Sequence, residues 1–166
     1  CGAGVAYKLA CALLETHKKN GGLLPENQSH DAFSKWLLDC VAIASVADMV
    51  PLLGETRVLT TYGLLVLNKT KRIGLQKMLL EARLSDMETG KPKKDLNTGT
   101  IGFQIAPRIN AAGRMDHANV AYALFTTKDP IEAINLAFQL EQNNKDRQAC
   151  VEDILKVAIA QAEEQT

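Results

Sequence analysis

Along most of this chain, apolar residues recur at the three- and four-residue spacing of one helix face, and short polar stretches separate the runs. Ala3 to Lys18 reads as a first helix, stopped by Asn20-Gly21-Gly22. After a polar loop to about His30, Ser29 or Asp31 can cap a second helix. Its apolar face is Phe33, Trp36, Leu37, Cys40, Val41 and Ala44, and it must end before Pro51. Further helices are expected over Glu55 to Leu67, Ile73 to Leu84 and Ala118 to Phe125. The last begins at Lys128-Asp129-Pro130. Asp129 suits the N-cap, Pro130 the first helical position and Glu132 the reciprocal position of a capping box. No Gly or Pro follows as far as Ala162, so one long helix, or two with a kink near Asn143-Asn144, fits. Neither a run of strands nor an internal repeat is visible. The predicted fold class is mainly α.

Two segments do not fit the helical pattern. Ser85 to Thr100 is long and polar, with Gly90, Pro92 and Gly99, and loops of that length are uncommon unless flexible or functional. "FQIAPRINAAGRMDHA", Phe103 to Ala118, is too polar for a core strand and too rich in alanine for an ordinary surface loop.

Composition narrows the class. With 166 residues the chain suits one domain or one piece of a larger protein, and 46% apolar residues suffice for a core. No apolar run approaches the roughly 18 residues that a membrane span needs. The sequence begins at Cys1 rather than Met, and nothing there reads as a signal peptide, which points to an excised piece of a cytoplasmic protein. Cys1, Cys11, Cys40 and Cys150 lack CxxC spacing and read as reduced, structural thiols. His17, His30 and His117 are too scattered for a zinc site from this chain alone. The net charge of zero hides an asymmetry: residues 69–114 carry ten basic and four acidic side chains, residues 115–166 four and nine. A basic middle segment suits an anionic partner, or is a solvated loop with lysines.

Four stretches invite a chemical reading. "CGAGVAYKLA" only approximates a dinucleotide-binding fingerprint, because Tyr7 takes the sixth place and no strand precedes it. Gly2 and Gly4 are better explained by close packing at a helix start. Asp48 is the only charge between Val41 and Leu53, close to a helix end whose dipole repels anions. It is either a metal ligand or a structural acid that pairs with Arg57 or caps the next helix. Asp116-His117 offers an acid or ligand, more simply an N-cap with an exposed neighbour. Arg108, Asn110 and Arg114 supply planar donors for phosphate oxygens, and Ala111, Ala112 and Gly113 allow close approach. The alternative is an internal loop whose arginines pair with carboxylates.

Taken together, "CGAGVAYKLA", "VADMVPLLGETR" from Val46, "IGFQIAPRINAAGR" from Ile101 and the pattern of Leu140 with Asn144 to Gln148 ("NKDRQ") resemble the RecJ single-strand-specific exonucleases of the DHH phosphoesterase superfamily. They follow the family's order across nearly the whole chain. Ala44-Ser45 and Glu55-Thr56-Arg57 depart mildly from the family's usual residues. The Asp-His-His motif, the earlier metal-binding aspartates and the C-terminal associated domain are absent. The resemblance therefore implies a central fragment: a helical, bundle-like second part of a DHH-type catalytic region over 1–128. A long helix or helix pair over 129–166 would lead towards a further domain.

The implied activity is 5′-to-3′ hydrolysis of single-stranded DNA with two Mn²⁺ or Mg²⁺ ions. Asp48 would be a catalytic metal ligand, Arg108 and Arg114 would hold DNA phosphates, and Asn110 would position the loop. The isolated chain is expected to be inactive. Two other readings stay open: a superfamily phosphodiesterase acting on small nucleotides, and a helical nucleic-acid-binding module without chemistry.

Overall fold

The computed structural model describes residues 1–115 and 117–164. Among these residues the regular structure is helical and no β-sheet forms. Chain contacts divide it into two compact units. One comprises Cys1–Lys71 with Glu88–Ala106, the other Arg72–Met87 with Pro107–Thr166. Segment 107–128 falls in the same unit as the long C-terminal helix, on which Asn119–Thr126 packs.

In the first unit, α1 spans Gly2–Lys19, α2 His30–Trp36, α3 Leu38–Ala47 and α4 Gly54–Leu67. The Ser29 hydroxyl caps α2 by accepting from the Ala32 N–H at 3.1 Å. The single second helix expected from the periodicity is thus two, joined through Leu37. The join follows a change of surroundings: α2 has no fully buried residue, whereas α3 buries Leu38, Val41, Ala42 and Ile43. Since α3 is apolar on every side, it has to be surrounded, and α1, α2 and α4 pack around it. Of these, Leu38, Val41 and Ile43 each stabilise by roughly 1.5–3 kcal/mol through burial. Gly63 permits the closest approach. A Cβ there would stand 2.3 Å from the Leu38 carbonyl oxygen, so only glycine lets α4 lie against α3 at this point.

The polar stretch after Ser85 is anchored rather than loose at its far end. The Asn68 side chain donates to the Leu96 carbonyl at 2.9 Å and accepts from the Leu96 N–H at 2.8 Å, while Leu96 itself is buried. Asn97 and Thr100 then form a reciprocal capping box that starts the short turn α6, Thr98–Thr100. A wide π turn over Ile101–Ile105 follows and packs on α3.

The second unit contains α5, Ile73–Glu81, α7, Ala106–Met115, α8, Asn119–Thr126, and α9, Pro130–Glu164. Gly74 lets α5 meet α8, since a Cβ there would fall 1.8 Å from the Leu124 carbonyl oxygen. The long helix is continuous, without a break at Asn143-Asn144. Asp129 caps it by accepting from the Ile131 N–H at 2.9 Å. The reciprocal half of the expected capping box is replaced. Glu132 bonds the Thr127 hydroxyl, and that hydroxyl accepts from the Asp129 N–H at 3.1 Å. Ala133, Ala137, Leu140 and Asn144 form the buried stripe of α9, so of the "NKDRQ" pattern Asn144 packs inward while Lys145, Asp146 and Gln148 are exposed. Residues 149–164 are exposed on all sides.

Candidate functional site

Asp48 is the C-cap of α3 and its side chain is exposed. The apolar residues around it in sequence therefore do not bury it. Arg57, the expected pairing partner, is also exposed, and among the described residues Asp48 makes no side-chain hydrogen bond or ion pair with it or any other group. What holds Asp48 is backbone. The Val50 N–H donates to the Ser45 carbonyl at 3.0 Å and the Met49 N–H to the Val46 carbonyl at 3.1 Å. This is a Schellman ending, which requires a left-handed residue at Met49, and its φ is +54°. A non-glycine residue there is strained by about 1–2 kcal/mol. Met49 is 89% exposed, so no packing of its side chain offsets that strain within the chain. Strain of this kind concentrates at functional sites.

The π turn sits at the same end of α3: the position of a Cβ on Gly102 is 3.9 Å from Val46 Cγ1. It carries Phe103, 85% exposed, which sequence periodicity did not single out. Pro107 explains the wide turn. It has no N–H for a helical bond to the Phe103 carbonyl, and its ring crowds that carbonyl, so the preceding backbone opens out. The quoted arginine segment is thus a π turn running into helix α7, not a loop.

That correction separates the three polar residues expected to act together. On α7, Asn110 and Arg114 are four residues apart and share a face, and both are exposed. Arg108 points to the other side. Its Nε donates to Glu141 of α9 at 2.6 Å, with side-chain exposures of 15% and 14% for the pair. Arg108 therefore fixes α7 on α9, the carboxylate pairing that the sequence left open. Breaking a mostly buried pair of this kind costs about 3–5 kcal/mol. Arg114 makes no ion pair among the described residues. Asp116 lies outside the described residues, and His117 is exposed.

Of the buried polar residues, Asp39 went unremarked in the sequence, and Asn144 stood there only as part of the "NKDRQ" pattern and a possible kink. Asp39 is 1% exposed, and its carboxylate accepts from the Cys40 N–H at 2.7 Å in the first turn of α3, where the helix dipole favours an anion. Asn144 is buried on α9, and its side-chain oxygen accepts from Arg147 at 3.2 Å. Its place in the i, i+4, i+7, i+11 stripe from Ala133 was a legible signal. Among the described residues, no group of three or more His, Cys, Asp or Glu could hold a metal ion. Asp48 fits a divalent cation as one exposed, unpartnered carboxylate, and further ligands would have to come from outside this chain.

No family model matches the chain. Individual relatives do. The described residues form a helical segment ending in a long helix, with an exposed, unpartnered carboxylate at Asp48 and donors on α7. In sequence and fold the chain resembles a segment of the RecJ exonucleases. It is 40% identical over 164 residues to the single-stranded-DNA-specific exonuclease RecJ of Bacillus subtilis, covering 99% of this chain and 18% of that protein. With the RecJ of Escherichia coli the identity is 37%, covering 88% of this chain and 24% of the relative. The crystal structure of RecJ from Thermus thermophilus in complex with Mn²⁺ superimposes with a TM-score of 0.67 at 30% identity, over 88% of this chain and 20% of that one. A second structure, exonuclease RecJ bound to manganese, gives 0.66 at 30% identity, over 87% of this chain and 33% of that one. The chain thus spans about a fifth of the curated relatives' length. No helix among the described residues is long and apolar enough to cross a membrane.

Proposed function

We propose that this chain supplies the helical part of a metal-dependent, 5′-to-3′ single-stranded-DNA exonuclease that works in recombination and repair in the cytoplasm. The observation that carries the reading is the match over 99% of the chain to a protein with that named substrate. In it, Asp48 contributes one carboxylate to a site for Mn²⁺ or Mg²⁺. When bound, the ions supply Lewis acidity and an activated water. The Schellman ending holds Asp48 at a fixed position in the chain, and Phe103 offers a face to a nucleobase. Arg114 takes a phosphate, Asn110 beside it adds a donor, and Arg108 keeps α7 seated through Glu141. The single-stranded DNA and the remaining ligands meet parts of the protein before and after this segment. The exposed end of α9 leads towards the latter. A phosphodiesterase of small nucleotides would use Asp48 and Arg114 alike, and preference for long over short substrates in the complete protein separates the two.

The test uses the complete protein with labelled single-stranded DNA and Mn²⁺. Asp48→Asn should remove most turnover at unchanged melting temperature, because the swap keeps shape and deletes the charge. Arg114→Ala should weaken binding to all sequences alike and flatten the salt dependence by about 0.7 log units per log unit of salt. The isolated 166-residue chain should release no mononucleotides. Wild-type turnover of Asp48→Asn at low Mn²⁺ would make Asp48 structural and overturn its assignment.

A further inference from the structure

A groove of about 470 Å³ opens on the first unit between α1, α2 and α4. The chain has one Trp, three Tyr and four Phe, and the Trp and two of the Tyr line this one groove. They are Trp36 of α2, Tyr7 of α1 and Tyr62 of α4, the last 58% exposed. Lys35 and Lys69 line it too, and no carboxylate does. A third lysine, Lys71, places its Nζ 4.8 Å from the centre of the Trp36 ring. Leucine side chains, Leu59 among them, complete an apolar floor. Burial, helped by a hydrogen bond with Cys11, pushes the Tyr7 phenol up to about 12. A tyrosine phenol is uncharged near neutral pH with or without that shift, so the ring sets no anion against a phosphate.

Aromatic faces over an apolar floor, rimmed by lysines and free of acids, have a defined chemical complement. A nucleobase stacks on such rings whatever its identity, and the phosphates joined to it meet the ammonium groups. We propose that this groove is a base-stacking subsite for single-stranded nucleic acid, with Tyr62 as the platform and Lys35, Lys69 and Lys71 as the phosphate contacts. Single-stranded DNA is the occupant chosen because positive charge and aromatic surface coincide. An apolar peptide would not need three lysines, and a duplex would not expose its bases. The choice of DNA rests on the exonuclease reading, whereas the stacking chemistry does not.

The experiment measures binding by the complete protein with the metal chelated, so that no hydrolysis intervenes. The probe is a single-stranded oligonucleotide carrying a fluorescent adenine analogue, whose emission is quenched by stacking. Tyr62→Ala should weaken binding about fivefold or more and relieve quenching, the low end for loss of one stacked base. Tyr62→Phe should bind like the parent. Lys69→Gln should flatten the salt dependence by about 0.7 log units per log unit of salt. Equal affinity and quenching for Tyr62→Ala and the parent overturn the proposal. So does a Tyr62→Leu variant that restores both melting temperature and affinity, since the groove would then be a packing surface for another part of the chain. Capture of an acidic peptide by the groove, with no competition from DNA, overturns it as well. Adding Mn²⁺ separates the two readings. Binding that depends on Tyr62 without DNA hydrolysis removes the exonuclease and keeps the subsite, and hydrolysis with Tyr62-independent binding does the reverse.

Discussion

The ends of α1 and α3, both in the first unit, carry the same hydrogen bonds and opposite chemistry. At α1 the Gly22 N–H donates to the His17 carbonyl at 2.9 Å and the Gly21 N–H to the Lys18 carbonyl at 3.1 Å, with Gly21 at φ +72°. At α3 the equivalent bonds run from Val50 and Met49, and the left-handed position belongs to Met49. The first is an ending that any reader of the sequence would place, because glycine adopts the conformation without steric cost. The second is held against local preference, one residue after the carboxylate proposed to bind metal. The second unit repeats the strained form at α5. There the Leu84 N–H donates to the Leu79 carbonyl at 2.9 Å, and Arg83 has φ +59°. Strain alone therefore does not mark a site, and its position next to an exposed, unpartnered acid is what distinguishes Met49.

Four substitutions probe this contrast, beginning with the largest effect. Gly21→Val should destabilise the chain by about 1–2 kcal/mol, a purely conformational cost, since a Cβ there meets nothing within 4 Å. Thermal unfolding should show a melting temperature lower by roughly 2–8 °C. An unchanged melting temperature would mean that the end of α1 frays already.

Met49→Gly should act in the opposite direction. Relief of the left-handed strain, offset by the extra freedom of glycine in the unfolded chain, leaves a gain of up to about 1 kcal/mol. Arg83→Gly should give a similar gain, and the two should part in turnover by the complete protein. Loosening the residue after Asp48 should cost activity several-fold, and loosening Arg83 should not. Equal activities would make the strain at Met49 incidental. The smallest effect belongs to Gly21→Asn, about 0.5 kcal/mol or less, because asparagine tolerates the left-handed region. A loss as large as that of the valine variant would point to a steric cause that the open surroundings of Gly21 do not provide.

The same local-versus-tertiary distinction runs through the rest of the molecule. Helix positions were legible wherever a rule of short range applied. Ser29 and Asp129 cap the helices they were expected to cap, and the apolar spacing found α1, α4 and α8 to within a residue or two. The α5 helix stops three residues early because Arg83, not a glycine, takes the left-handed position. The arginine segment misled because Pro107 and Gly113 read as loop punctuation, while the backbone accommodates Pro107 by widening the turn before it.

For the candidate site, the residue types alone established that planar donors and one isolated carboxylate were present, and their order along the chain carried the family resemblance. Which donor faces outward was not legible. Helical phase puts Arg108 and Arg114 on different sides of α7, but only packing against α9 decides that Glu141 takes Arg108 and that Arg114 stays in solvent. Sequence likewise made Asp48 look buried among apolar neighbours and left the buried Asp39 unremarked, since hydrophobic surroundings along the chain are not surroundings in space. Burial depends on which helices close over a side chain, and those contacts join residues far apart in sequence. Local patterns report a residue's own turn of helix and no more.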